Sequence, residues 1–189
     1  MAVEKKKFLQ VQIPLINREI ELVGTGNESL NNRFVKLDLT PELRGKSLEL
    51  NLEIKLKDGK PTAEPREIYL MGYYIRRMMR KGTDYVEDSF LSQCSDHRIR
   101  IKPFLITRKR VSRAVRNALR QAAKEFLINY VKEKSFGNLV LDIINNKIQK
   151  ELNTKLKKVY PLGLCEIRFI GVEDQKGYIE KKESKKEGE

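Results

Sequence analysis

Between His97 and Lys124 the chain carries ten basic side chains and not one carboxylate: Arg98, Arg100, Lys102, Arg108, Lys109, Arg110, Arg113, Arg116, Arg120 and Lys124. Guanidinium and ammonium groups at this density suit the neutralisation of a polyanion. Arg forks donate bidentately to phosphate oxygens, and each phosphate neutralised releases counterions. Taken as a helix from Lys109 to Val131, at about 100° per residue, Arg113, Arg116, Arg120 and Lys124 fall in one arc about 80° wide. Arg110 extends that arc. Val111, Val115, Ala118, Leu119, Ala122, Phe126 and Tyr130 fall on the other side. Like charges four residues apart weaken a helix by some tenths of a kcal/mol per pair. A helix shaped only by stability would intersperse Glu. The plain alternative is a solvated face with mobile counterions. A membrane surface fits poorly, because alanines interrupt the apolar side.

Further basic groups flank the stripe: Lys5, Lys6 and Lys7; Arg76, Arg77, Arg80 and Lys81; and Lys155, Lys157 and Lys158. Charge spread over several segments suits a protein embedded in folded RNA better than a groove-reading DNA binder. Other chemistry is sparse. His97 is the only histidine, which excludes two-His zinc patterns and a histidine acid/base pair. No Gly-rich phosphate loop occurs. Cys94 and Cys165 are too few for a disulfide framework or a four-cysteine zinc site; they are expected to be small buried residues of a reducing cytosol. Glu64, Glu67, Asp84, Glu87 and Asp88 could hold a divalent metal for phosphodiester cleavage. Their structural alternative is a surface paired with Arg66, Arg76, Arg77 and Arg80. Tyr69, Tyr73 and Tyr74 could stack on bases, but burial of two of them is expected. No catalytic residue, cofactor or metal is therefore assigned.

The elements that must position these groups follow from length and periodicity. The chain has 189 residues, 39 Lys plus Arg against 26 Asp plus Glu (39 − 26 = +13), and 40% hydrophobic residues. That is enough for one ordinary core or two small ones, and too apolar for a disordered chain. No apolar run approaches the roughly 18 residues of a membrane-spanning helix, and Met1–Lys7 carries no secretory apolar segment. Period two dominates from residue 8 to about 107. Leu48–Lys57 alternates strictly and Asp58-Gly59 marks a hairpin. The return strand begins at Glu67, after Pro61 and Pro65. Shorter strands are expected at about 8–14, 19–24, 33–39, 84–93 and 98–106, with a short helix at 73–81. Period 3.6 then gives the helix at 109–131 and a second at 136–158, and 164–170 closes as a strand. The expectation is an α+β fold: a strand-rich, curved or barrel-like sheet, two amphipathic helices and a closing strand. Residues 1–173 are expected to form a single RNA-binding domain, strand-rich over 1–107 and helical over 108–173, with a mobile charged tail at 174–189.

Four stretches together resemble a known family: Gly45-Lys46-Ser47-Leu48-Glu49-Leu50; Met71–Thr83, with its Arg76-Arg77 and Arg80-Lys81 pairs; Arg98–Arg110, running into the basic helix; and Lys157-Lys158-Val159-Tyr160-Pro161-Leu162, with Glu166-Ile167-Arg168 behind it. The chain is similar to the archaeal and eukaryotic ribosomal protein S1e of the small subunit, in its archaeal form. The resemblance implies a structural, cytoplasmic ribosomal role without catalysis. It implies binding of small-subunit ribosomal RNA on the platform, beside other platform proteins and near the mRNA exit. By position it implies RNA contacts at Arg76, Arg77, Arg80, Arg98, Arg100, Lys102, Arg108, Lys109, Arg110, Arg113, Arg116 and Arg120. The charge pattern adds Lys81 and Lys124. Alternatives from the residues alone are an RNA-cleaving or RNA-modifying enzyme using the acids, and a free-standing basic nucleic-acid adaptor.

Overall fold

The computed structural model describes residues 6–43, 45–57 and 59–173, so the expected tail at 174–189 and Lys5 lie outside the described residues. The chain divides into two compact units, residues 1–68 and 69–189.

In the first unit, β1 (Lys7–Ile13) and β2 (Arg18–Gly24) form an antiparallel hairpin. β3 (Phe34–Asp38) pairs antiparallel with β4 (Leu48–Lys57), and β4 with β5 (Lys60–Leu70). β1 meets β5 at a parallel bridge, Gln12 opposite Thr62. The alternation of β4 works as its pattern requires: Leu48, Leu50, Leu52 and Ile54 are at most 1% exposed. Each such burial contributes about 1.5–3 kcal/mol relative to exposure. Gly59, at φ +74°, supplies the left-handed residue before β5. β5 is longer than expected and takes in both prolines. Each proline lacks an N–H donor and so removes one possible ladder bond, and the buried face shifts from Pro61 and Ala63 to Ile68 and Leu70 along the strand. Among the described residues no ladder joins β2 to β3, so this sheet is open rather than a closed barrel.

The second unit begins with α1 (Gly72–Met78). Its central strand is β8 (Arg98–Thr107), which pairs antiparallel with β6 (Tyr85–Glu87) and β7 (Phe90–Gln93) on one edge and β9 (Leu162–Val172) on the other. The expected strand at 84–93 is thus two strands separated by Asp88 and Ser89. The β8–β9 register slips between Lys102 and Pro103, leaving Arg168 as the extra residue of β9; a bulge fits where proline lacks a donor. α2 (Arg113–Lys132) packs on β6 and β7, and α4 (Lys147–Leu156) packs on β9 and α2. α3 (Phe136–Ile144) packs on α4. The single helix expected at 136–158 is therefore two. Asn146 breaks it at φ +56°, a left-handed conformation that Asn tolerates better than most residues. Strands and helices segregated along the chain make the fold α+β. Among the described residues no helix is long and apolar enough to cross a membrane.

Candidate nucleic-acid interface

The helix that carries the cationic stripe starts later than its periodicity suggests. Ser112 is its N-cap and accepts from the Val115 amide at 3.4 Å. Residues 108–112 are a non-helical connection, so Arg110 precedes the helix instead of extending its arc. Arg108, Lys109 and Arg110 are all exposed. Within α2, Arg113, Arg120 and Lys124 are exposed and Arg116 is half-buried, its Nε enclosed without an acceptor.

The buried row is Leu119, Ala123, Leu127 and Val131. A row stepping by four residues drifts about 40° per step around the axis. By Leu127 and Val131 the core has rotated into the sector that the arginines occupy in the first half, and the stripe ends at Lys124. The same drift corrects the expected apolar face: Ala118 is exposed and Ala123 is buried.

Among the described residues, Arg113, Arg116 and Arg120 form no ion pair within 4 Å. Lys124 reaches over the Phe90 ring, 5.9 Å from its centroid. On β8, Arg98, Arg100 and Lys102 alternate with buried Ile99 and Ile101. Arg98 is exposed. Arg100 is engaged within the protein, at 2.7 Å from Glu173 and 3.3 Å from Ser89 Oγ. Lys102 lies over the Phe169 ring at 5.1 Å. Strand and helix cations meet where Lys102 and Arg120 line a shallow depression with Glu87, Asp88 and Ser89. Both of those carboxylates are occupied: Glu87 pairs with Arg168, and Asp88 accepts from the Ser89 amide at 2.8 Å.

Arg76 and Arg77 lie on the last turn of α1, with exposed Arg80 and Lys81 just beyond it. Arg77 sits over the ring of buried Tyr74, 5.3 Å from its centroid. Burial and the Glu166 carboxylate raise the Tyr74 pKa, while Arg77 pulls it down. Tyr73 is exposed and Tyr69 half-buried, so one of the three tyrosines is fully enclosed instead of two.

The acids of the metal reading are dispersed over separate partners. Glu64 pairs with Lys55 at 2.9 Å and Lys57 at 2.6 Å, whose hydrogen bonds hold its pKa low. Glu67 accepts from Asn51 at 3.0 Å. Asp84 accepts from the Val111 amide at 2.9 Å. In these contacts the acids are held by lysines, the Asn51 side-chain amide, backbone amides and Arg168. Among the described residues no three His, Cys, Asp or Glu side chains converge to hold a metal. His97 is exposed in the β7–β8 turn, and Cys94 and Cys165 are buried and form no disulfide. Ser112 and Asp84 act as positioning groups that the charge pattern does not single out. Ser112 carries a legible signal, a serine directly before a helical run; the long-range role of Asp84 has none.

Comparison with known proteins places the chain in a family. Residues 2–175 match the Ribosomal S3Ae family. The small ribosomal subunit protein eS1 of Nanoarchaeum equitans is 27% identical over 184 residues, covering 93% of each chain. That of Methanothermobacter thermautotrophicus is 34% identical over 173 residues, covering 87% of this chain and 88% of its own. That of Natronomonas pharaonis is 26% identical over 175 residues, covering 87% and 84%. The resemblance carried by the four sequence stretches thus holds along nearly the whole chain, which belongs to the Ribosomal S3Ae family.

Proposed function

We propose that this protein is a structural, non-catalytic component of the small ribosomal subunit that binds ribosomal RNA by phosphate neutralisation. The observation that carries the reading is the run from Arg108 to Arg120: cations on a capped helix and its entry, all exposed but the half-buried Arg116, with no described carboxylate paired to Arg113, Arg116 or Arg120. Family membership and the names of the relatives support the ribosomal setting. The platform, with neighbouring platform proteins and mRNA near its exit, is the location we assign. Arg76, Arg77, Arg80, Lys81, Arg98, Lys102, Arg108, Lys109, Arg110, Arg113, Arg116, Arg120 and Lys124 are the proposed phosphate contacts. Arg100 is a weaker contact, because Glu173 already holds it.

The test is charge reversal. Arg113→Glu, Arg116→Glu and Arg120→Glu together should weaken binding to purified archaeal small-subunit ribosomal RNA by about a hundredfold or more at moderate salt, and reduce the salt-dependence slope by roughly 2–3. Far-UV circular dichroism should stay native. Unchanged affinity would remove the stripe as the contact. Equal affinity for duplex DNA at matched ionic strength would favour the adaptor reading.

A further inference from the structure

The two basic segments of the second unit, 76–81 and 108–110, lie more than twenty-five residues apart in sequence, and one acid and one hydroxyl tie them together. Arg80 and Thr83 close a turn: the Thr83 hydroxyl donates to the Arg80 carbonyl at 2.8 Å, and Gly82 takes φ +84°. Asp84 follows at once. Its backbone is locked to Thr107, the last residue of β8: the Thr107 amide donates to Asp84 O at 2.9 Å, and the Asp84 amide donates to Thr107 Oγ1 at 3.1 Å. Thr107 is 0% exposed. Its hydroxyl has one proton and two carbonyls in reach, Asp84 O at 2.9 Å and Lys109 O at 2.7 Å. Asp84 O already accepts the Thr107 amide, so the proton goes to Lys109 O. Meanwhile Asp84 Oδ2 accepts from the Val111 amide at 2.9 Å. The connection is thus held at Lys109 O on one side and Val111 N on the other, and the Ser112 cap follows immediately. Between these ties the side chains of Arg108, Lys109 and Arg110 stand exposed.

A loop of three adjacent cations repels itself and would fluctuate if untied. Among the described residues its backbone anchors, at Lys109 O and Val111 N, instead run to Thr107 and Asp84. We infer that Asp84 and Thr107 are positioning residues for RNA binding: they pre-order the Arg108–Arg110 connection and fix its register to the Arg80–Thr83 turn, so that both basic segments meet the phosphate chain without an ordering cost. This inference rests on the RNA-binding reading above. Ordering backbone residues costs conformational entropy, so releasing one or two of them at this site weakens binding about tenfold.

The experiment uses the full chain and purified archaeal small-subunit ribosomal RNA. Asp84→Ala and Thr107→Val should each lose about tenfold in affinity, with native far-UV circular dichroism and faster hydrogen exchange at the Val111 amide. Asp84→Asn and Thr107→Ser keep the acceptor and the hydroxyl, and should stay within about twofold of wild type. A purely structural role would lower the thermal midpoint yet leave the affinity of the folded variant unchanged. Fast Val111 exchange with wild-type affinity overturns the inference. Should the variants not fold, exchange in the free wild-type protein decides: a protected Val111 amide supports pre-ordering, and one protected only after RNA is added overturns it. The charge-reversed triple variant separates the two readings. If it binds with wild-type affinity, the RNA-binding reading fails; if it is weakened while Asp84→Ala keeps wild-type affinity, only the clamp fails.

Discussion

Lys134, two residues past the end of α2, donates to Asp142 Oδ2 of α3 at 2.5 Å and to the Tyr130 hydroxyl at 2.7 Å. Tyr130 in turn donates to the same carboxylate oxygen at 2.9 Å. The three side chains form a half-buried junction between two helices. Burial pushes the Asp142 pKa up, but the hydrogen bonds from Lys134 and Tyr130 outweigh it and leave the net value below 3.8.

A folded-state pKa depressed below the unfolded one stabilises the protein above the unfolded value, and that stabilisation is lost as pH falls through the folded value. Asp142→Asn should therefore cost about 1–2 kcal/mol at pH 7, and the difference from wild type should shrink as pH drops from about 4 towards 2. Lys134 carries the opposite sign: burial lowers its pKa, Asp142 and Tyr130 raise it further, and the net value lies above 10.5. Its contribution is full at neutral pH and fades only above that range. Urea melts of wild type and Asp142→Asn at pH 3 and pH 7 check this; a gap that does not narrow in acid would contradict it.

Leu127 and Ala118 lie nine residues apart on α2, one fully buried and one exposed. Leu127→Ala should cost about 2–5 kcal/mol by leaving a cavity. Ala118→Ser should stay within about 0.5 kcal/mol. Thermal melts of the two variants would show the reverse order if the drift of the buried row were absent.

Asn146 holds a left-handed conformation between α3 and α4. Asn146→Ala places a residue there that pays steric strain of about 1–2 kcal/mol, whereas Asn146→Gly avoids the strain. Alanine should lower the thermal midpoint clearly more than glycine; equal midpoints would show that the kink needs no left-handed residue.

Glu87 is paired with Arg168, and Asp88 caps its own turn. The Glu87→Gln, Asp88→Asn variant and wild type should both leave RNA uncleaved when incubated with it and Mg²⁺. Metal-dependent turnover by wild type that vanishes in the variant would restore the enzyme reading.

Much of this arrangement is written locally in the chain. The strict alternation from Leu48 to Leu56 and the mixed Arg/Ile pattern of Arg98–Lys102 each report one buried face, and the strands lie there. The cationic stripe is equally legible, because four residues at helical spacing need no tertiary information. The kink at Asn146 is hidden, because an apolar row continues through it on both sides. The exposure of Ala118 is hidden too: an ideal helix wheel ignores the drift of a core that wraps around α2. Least legible is Asp84, which sits among acids in sequence but spends its carboxylate on the Val111 amide, twenty-seven residues away.

The central claim is that ribosomal RNA lies against the entry and first half of α2. Ultraviolet cross-linking of intact archaeal small subunits containing this protein, followed by mass spectrometry of the protein–RNA adducts, tests it most directly. The account predicts nucleotide adducts on peptides covering 108–124, accompanied by adducts at 76–81. Adducts confined to other segments, with 108–124 cross-linked only to neighbouring proteins, would contradict it.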